Sequence, residues 1–475
     1  MKNDSHFLLL RGIKGLIRCD EAQVVRGIAR YVMSQHGSLR HGSALMERTR
    51  KTPIPSAIAG LGALTRFLEV REDDDLDGAV WVGRLGNERR AIQAVIETLP
   101  SRAPKLGWTE LKFRRRPDGA ALSALARHLG GWRDRHVRSY KGAARLRPIL
   151  RIARLLHRRY EFFKVLRVAE LIGYYTRYLH IFQLARFSLA VMSSHSNPHG
   201  IAFNLAARKC GVPLVLITHG MPVRPVAKLS YDLAVVHCEV ARQTYLEAGC
   251  RMDRVLIHGR RQDYFPMPAS PLPKRLAVGI FLCKDVNEKR LRALVDRLIG
   301  DARVSRILVR PHPKNLWLGL DKWIASRNDP RICRSATGPV FRDLEESDVV
   351  LAGNSSVLVD AVTAGRPSGY VPGLDYGPED LHEFVARGLI FPIQDECGGR
   401  NEALDFAKML CFYQRSDWST VLRLFANIDE DAASITAQAG AAMLELASHG
   451  QGRDLGSGRS EYRLQSGFYG CEEAD

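Results

Sequence analysis

From Phe187 onward, short apolar runs alternate with polar turns and amphipathic stretches. Ser188–Met192, Pro213–Thr218, Asp232–His237 and Arg254–Ile257 are apolar over most of their length, the pattern of strands buried on both faces. Helical stretches at about 199–210 and 241–247 fill the spaces between them. Most of these runs open into a polar turn: Ser193-Ser194-His195-Ser196, His219-Gly220-Met221-Pro222 and His258-Gly259. Repeats of strand and helix at this spacing predict a doubly wound parallel sheet. A proline-rich stretch over 261–275 interrupts the pattern and reads as a linker. A second series follows: strand Leu276–Leu282, helix Asn287–Ile299, strand Arg306–Val309 ending in Arg310-Pro311-His312-Pro313, then Asp348–Ala352 and Gly369–Val371. The predicted fold class is therefore α/β, two Rossmann-like doubly wound parallel-sheet domains facing a cleft. The first spans 1–260, the second 276–448 with a helical end from about 400, and 449–475 is a Gly-rich, charged tail expected to be disordered.

Residues 348–367 hold the clearest candidate chemistry. The buried run Asp348–Ala352 leads into Gly353-Asn354-Ser355-Ser356, and a helix predicted over Val357–Ala364 is stopped by Gly365 and Pro367. Strand, small polar turn and helix start offer unpaired N–H groups and hydroxyls to a phosphate. The other reading of the turn is that Asn354 or Ser355 only caps the helix. Three polar groups, His219-Gly220, Arg310-Pro311-His312-Pro313 and Asn354-Ser355-Ser356, each follow a buried strand directly and so belong to the sheet edge where such folds bind ligands.

Residues 1–110 are less legible. Helices are expected at 20–34 and 53–70, the acidic run 72–75 as a solvated loop, Ala79–Gly83 as a strand and Glu88–Leu99 as a helix.

Charge adds one feature. The chain carries a formal +19, and 113–167 alone holds 16 Lys/Arg against 3 Asp/Glu. The segment 113–186 reads as basic and helical, with Arg151, Arg154, Arg158 and Arg159 spaced along one helix face. That stripe fits an anionic membrane surface, or equally an amphipathic helix whose arginines lie over their neighbours. The 45% apolar and 25% charged content is that of a soluble globular protein, and no apolar run reaches the length of a membrane span. The N-terminal apolar patch is too short for a signal peptide, so a cytoplasmic chain, peripheral at the inner membrane face, is expected. Nine scattered cysteines without a Cys-x-x-Cys pair argue against zinc or disulfide frameworks.

These motifs together resemble the two-domain GT-B glycosyltransferases, and within them the CDP-glycerol glycerophosphotransferases and bacterial (poly)sialyltransferases of capsule and teichoic acid synthesis. The His-Gly-Thr-Pro pattern is similar to His219-Gly220-Met221-Pro222, with Met in place of Thr. Arg-Pro-His matches Arg310-Pro311-His312, and the later aspartates and Ser-Ser pair match Asp348, Ser355-Ser356 and Asp360. The similarity covers about 188–395. It implies a nucleotide-activated donor (CMP-, CDP- or UDP-linked) held by Arg310, Asn354, Ser355, Ser356 and Asp360, with His312 at the donor phosphate. Asp360 has a second reading as a first-turn acid that favours the helix dipole. The resemblance places His219 as general base toward a surface-polysaccharide or glycolipid acceptor, with Ser194, His195 and Gly220 on that side. It implies no cofactor and no metal. The acidic base of the sialyltransferase branch has only a loose echo in Asp75-Leu76-Asp77-Gly78.

Two other readings remain. A UDP-sugar 2-epimerase shares the two-sheet architecture and a Gly-Asn-Ser-Ser turn, and calls for further acidic residues in the first domain. A nucleic-acid-binding protein would use the aromatics Trp132, Tyr140, Tyr160, Phe162 and Phe163 of the basic segment as stacking platforms.

Overall fold

The computed structural model describes residues 78–83, 86–99, 108–111 and 171–451, the last with gaps of which 394–403 is the longest. The expected helices at 20–34 and 53–70, the acidic run 72–75, the four arginines at 151, 154, 158 and 159, and the tail beyond 451 lie outside the described residues.

The first lobe is built on strands β1 (Gly78–Val82), β2 (Trp108–Glu110), β3 (Phe187–Met192), β4 (Leu214–Ile217), β5 (Ser230–Val236) and β6 (Arg251–Ile257). They form one parallel sheet in the order β2-β1-β3-β4-β5-β6. Side chains along a strand alternate between faces, and both faces here are core. Val80, Val82, Ala190, Met192, Leu214 and Leu216 pack toward helix α2 (Pro198–Lys209). Ala79, Trp81, Leu189, Val191, Val215 and Ile217 pack toward helix α1 (Gly86–Ile96). Two-sided burial is why these strands read as continuous apolar runs rather than as alternation. The described end of the basic segment belongs to this core: Leu171, Tyr174, Tyr175, Tyr178, Ile181 and Phe182 are buried, and the Tyr178 ring meets Phe203 edge-on at 5.1 Å. Helix α3 (Glu239–Glu247) follows β5.

The second lobe comprises β7 (Leu276–Phe281), α4 (Glu288–Gly300), β8 (Val304–Arg310), α5 (Leu320–Ser326), β9 (Ile332–Arg334), α6 (Val340–Glu345), β10 (Val349–Ala352), α7 (Val357–Thr363), β11 (Ser368–Tyr370) and β12 (Phe391–Pro392). Its sheet is parallel in the order β12-β11-β10-β7-β8-β9. The chain runs outward from β7 to β9, returns to β10 on the other side of β7, and runs outward again. That reversal leaves a crevice at the C-terminal ends of β7 and β10, the place where doubly wound sheets take ligands. In the first lobe the corresponding reversal lies between β1 and β3.

Helices α8 (Phe406–Tyr413), α9 (Trp418–Ala426) and α10 (Ala432–Gln451) complete the described chain. The second domain was expected to run through 448, but α10 crosses back. Its Ala439, Ala442, Met443 and Ala447 cover the first sheet, packed with Trp81, Val191 and Val215. The Val191 face of that sheet is apolar and would stand largely bare without this cover, because α1 contributes only Ile92 and Val95 to the buried part of the same cluster, with Ala91 and Ile96 at its margin. Polar contacts fasten the crossing. Asn427, in the left-handed region at φ 46°, donates from Nδ2 to Ile257 O at 2.8 Å, and His258 Nε2 lies 2.7 Å from Thr436 Oγ1. Arg387 joins the lobes elsewhere, 3.7 Å from Glu247 of α3. The described part of the linker is held to the second lobe, where Phe265 N–H donates to Thr363 O at 2.8 Å.

Candidate active site

In the first lobe the structure gathers Ser193, Ser194 and His195 after β3 with His219 after β4. Ser193 is fully buried, and its Oγ lies 3.0 Å from His219 Nδ1. Asn197 caps α2 by accepting from Gly200 N–H at 3.0 Å, and its Nδ2 donates to Ser194 Oγ. The helix starts unusually close to the strand end: a Cβ at Gly200 would lie 1.9 Å from Ser194 O, so no larger residue fits there. Gly220 has open space around it.

His195 is held by Tyr245 of α3, whose hydroxyl lies 2.7 Å from Nδ1, with the two rings edge-on at 5.0 Å. Its Nε2 is buried and has no hydrogen-bond partner. Burial, and then the nearby His219, push its pKa down to about 3. His219 is likewise lowered, chiefly by burial, against the opposing pull of Glu88 and of its bond to Ser193. Both imidazoles are therefore neutral near pH 7.

His195 carries a linkage consequence. Its pKa falls from 6.5 in the unfolded chain to about 3 in the native one. Between those values the unfolded chain holds a proton that the native chain lacks, so stability is complete above about pH 6.5 and declines as pH falls toward 3. The slope is about 1.4 kcal/mol per pH unit for this one group, on the order of 5 kcal/mol in all. Urea unfolding of His195→Gln across pH 4.5–6.5 should show a slope shallower by about that amount; an unchanged slope would refute the assignment.

In the sequence Glu88 marks only the start of a helix. It sits in the first turn of α1 after β1, is 1% exposed, and acts on His219 electrostatically. An acid in a first helical turn is ordinary; its burial beside a histidine from another strand is not visible in the sequence.

In the second lobe the motif residues divide. The Arg310 guanidinium is turned into its own lobe: it pairs with Asp343 and donates from Nη2 to Gly338 O at 2.6 Å. Asp343 also accepts from the Ser335 hydroxyl. Arg310 thus braces β8 against α6 through these partners. His312 follows at the end of β8, half-buried. Asp348 stands at the opposite end of β10 from the crevice, where its Oδ2 accepts from Ala277 N–H at 2.8 Å, a sheet-locking role. Asn354 is engaged with Asp375, its N–H and Nδ2 donating to the two carboxylate oxygens at 2.7 and 2.9 Å. Ser355 Oγ accepts from Val357 N–H at 3.4 Å. Ser356 is exposed and makes no side-chain cap of α7. Asp360 lies half-buried in the first turn of that helix. Among the described residues no group of three or more His, Cys, Asp or Glu could hold a metal ion, and no helix is long and apolar enough to cross a membrane. None of the described cysteines is in a disulfide.

The fold and site define a two-lobed α/β protein, each lobe a doubly wound parallel sheet, with a histidine–serine cluster in one lobe and a polar turn at the crevice of the other. Similar solved structures are GT-B glycosyltransferases and UDP-GlcNAc 2-epimerases. They include the wall teichoic acid polymerase TagF soaked with CDPG, at 12% identity over 92% of this chain and 100% of that one, TM-score 0.39. MurG from Acinetobacter baumannii matches at 12% identity over 78% of this chain and 99% of that one, TM-score 0.38. UDP-GlcNAc 2-epimerase from Neisseria meningitidis, bound to UDP-GlcNAc, matches at 12% identity over 78% and 99%, TM-score 0.41. At TM-scores below 0.5 these likenesses carry no argument, and the strand orders above carry the fold by themselves. No family model matches the chain, and no curated protein does.

Proposed function

We propose that the chain is a metal-independent, inverting transferase that moves a glycosyl or polyol-phosphate group from a CMP-, CDP- or UDP-linked donor to a surface-polysaccharide or glycolipid acceptor. The observation that carries this reading is His219: a neutral, half-buried imidazole, oriented by Ser193 at the loop-bearing edge of one doubly wound sheet and paired with a second lobe whose crevice is lined by a polar turn. When its Nδ1–H donates to Ser193 Oγ, Nε2 is left as the basic nitrogen. The acceptor hydroxyl attacks the donor carbon or phosphorus in line and gives its proton to that nitrogen. The bond to the nucleotide phosphate oxygen breaks, and the leaving group keeps the electron pair. Ser355, Ser356 and His312 supply donors to the charge that develops there. The basic stripe at Arg151, Arg154, Arg158 and Arg159 would bring the enzyme to an anionic inner membrane face, where such acceptors are made.

The test is nucleotide binding. CMP, CDP, UDP and GDP are screened by thermal shift, with EDTA present. A ligand at a hundredfold excess over its Kd stabilises the native state by about 2.7 kcal/mol, and Ser355→Ala should remove most of the response. No shift with any of them overturns the proposal. Buried Glu88 beside His219 favours a second reading, since an epimerase calls for an acid in the first lobe. Conversion of UDP-GlcNAc without any acceptor would select it; strict dependence on an acceptor would exclude it.

A further inference from the structure

The segment 371–381, which follows β11, is tied to both walls of the crevice between β7 and β10. On the β7 side Asn287 N–H donates to Leu374 O at 2.8 Å, Arg290 Nε donates to Pro372 O at 3.0 Å, and Val286 pairs with Asp375 in a single antiparallel bridge. On the β10 side the Asp375 carboxylate accepts from Asn354 N–H at 2.7 Å, Asn354 Nδ2 at 2.9 Å and Gly377 N–H at 2.9 Å. Asn354 Oδ1 closes the clasp by accepting from Leu381 N–H at 2.7 Å.

The clasp is built around the carboxylate. Asp375 is 8% exposed. A Cβ at Gly353 would lie 2.1 Å from its Oδ2, and one at Gly377 would lie 2.7 Å from its Oδ1. Both glycines therefore make room for Asp375, and the Gly353-Asn354 half of the polar turn is occupied from within. Ser355 and Ser356 follow at the start of α7.

We propose that Asp375 is the positioning residue of the donor turn. By fixing both the backbone and the side-chain amide of Asn354, it sets the direction in which Ser355 and Ser356 meet the donor diphosphate, while touching no donor atom itself. The inference rests on the donor-binding role proposed for this turn. A buried carboxylate with three N–H partners is a rigid anchor, because no water competes for its lone pairs. Asn in its place keeps the shape but has one accepting oxygen where two are used, so its amino group faces a donor.

Isothermal titration with the nucleoside diphosphate that binds wild type best tests this, at 20 °C and on protein shown by circular dichroism to be folded. Asp375→Asn should weaken Kd and donor KM by about tenfold or more, with kcat at saturating donor within threefold. Asn354→Ala, which retains the backbone bond to Asp375, should show the same pattern at smaller size and serves if Asp375→Asn does not fold. A lower melting temperature with Kd unchanged in these variants overturns the proposal and leaves Asp375 as scaffold. Wild-type protein that binds no nucleoside diphosphate overturns the donor-site reading and this inference with it; wild type that binds while Asp375→Asn binds equally well overturns this inference alone.

Discussion

His219→Ala should reduce turnover by about 10²- to 10⁴-fold, the contribution expected of a positioned general base, while nucleotide affinity stays within twofold. The two halves of that result follow from placement. His219 belongs to the first lobe, at the end of β4, and Ser193, Glu88 and His195, which act on it or on which it acts, are of the same lobe. The polar turn belongs to the second lobe, so removing the imidazole leaves it whole. The sign of the pH dependence follows as well. Burial lowers the pKa of His219 below its ordinary 6.5, so the basic form persists into mildly acidic solution. The acid limb of kcat/KM should lie below pH 6.5 in wild type and be absent from the residual activity of His219→Ala. Ser193→Ala removes the bond that fixes the ring and should lower kcat more than donor KM. Full activity in His219→Ala would show that the base lies elsewhere, and Glu88 is then the group to substitute.

Much of this architecture was legible because it is local. A parallel strand buried on both faces writes itself as a short apolar run, and β3, β4, β7 and β10 are legible that way, all but β7 with a polar turn after them. The strands that escaped are the edge ones. Ile332–Arg334 and Phe391–Pro392 span three and two residues and are only half-covered, too short to show a period. The first part of β6, Arg251–Asp253, lies outside the strand expected at Arg254–Ile257, and it is charged and largely exposed because it lies at the sheet border. What distance along the chain conceals is of another kind. Gly353 looks like a phosphate-loop glycine, yet its close neighbour is Asp375, brought in by the loop after β11. Glu88 looks like a helix-start acid until β4 places His219 beside it. Helix α10 shows its alanine-rich face in the sequence, but the sheet it covers is set by the return of the chain to the first lobe.

The same distinction bears on Arg310, whose motif suggests a hand on the donor phosphate and whose partners within the lobe brace β8 against α6. Asp343→Ala should destabilise the second lobe by about 3–5 kcal/mol, the loss expected when one partner of a buried ion pair is removed. The Arg310 and Asp343 side chains are only 13% and 9% exposed, so the guanidinium left behind has little water to turn to. Its remaining partners are neutral: Gly338 O at 2.6 Å, Pro339 O at 3.4 Å and Ser335 Oγ at 3.5 Å. Most of the loss would thus come from stranding a charge rather than from the strength of the pair. For that reason Arg310→Met/Asp343→Leu should recover a large part of it, although each single substitution is damaging. Urea unfolding, followed by the emission of Trp317 and Trp323, measures both effects in the lobe concerned. Nucleotide titration of Arg310→Ala, under conditions where it remains folded, separates the two roles: a strut changes the unfolding midpoint and leaves Kd nearly intact, whereas a phosphate ligand weakens Kd by an order of magnitude or more. The second outcome would require the guanidinium to leave Asp343 when the donor arrives, which would make the pair a resting state of the site.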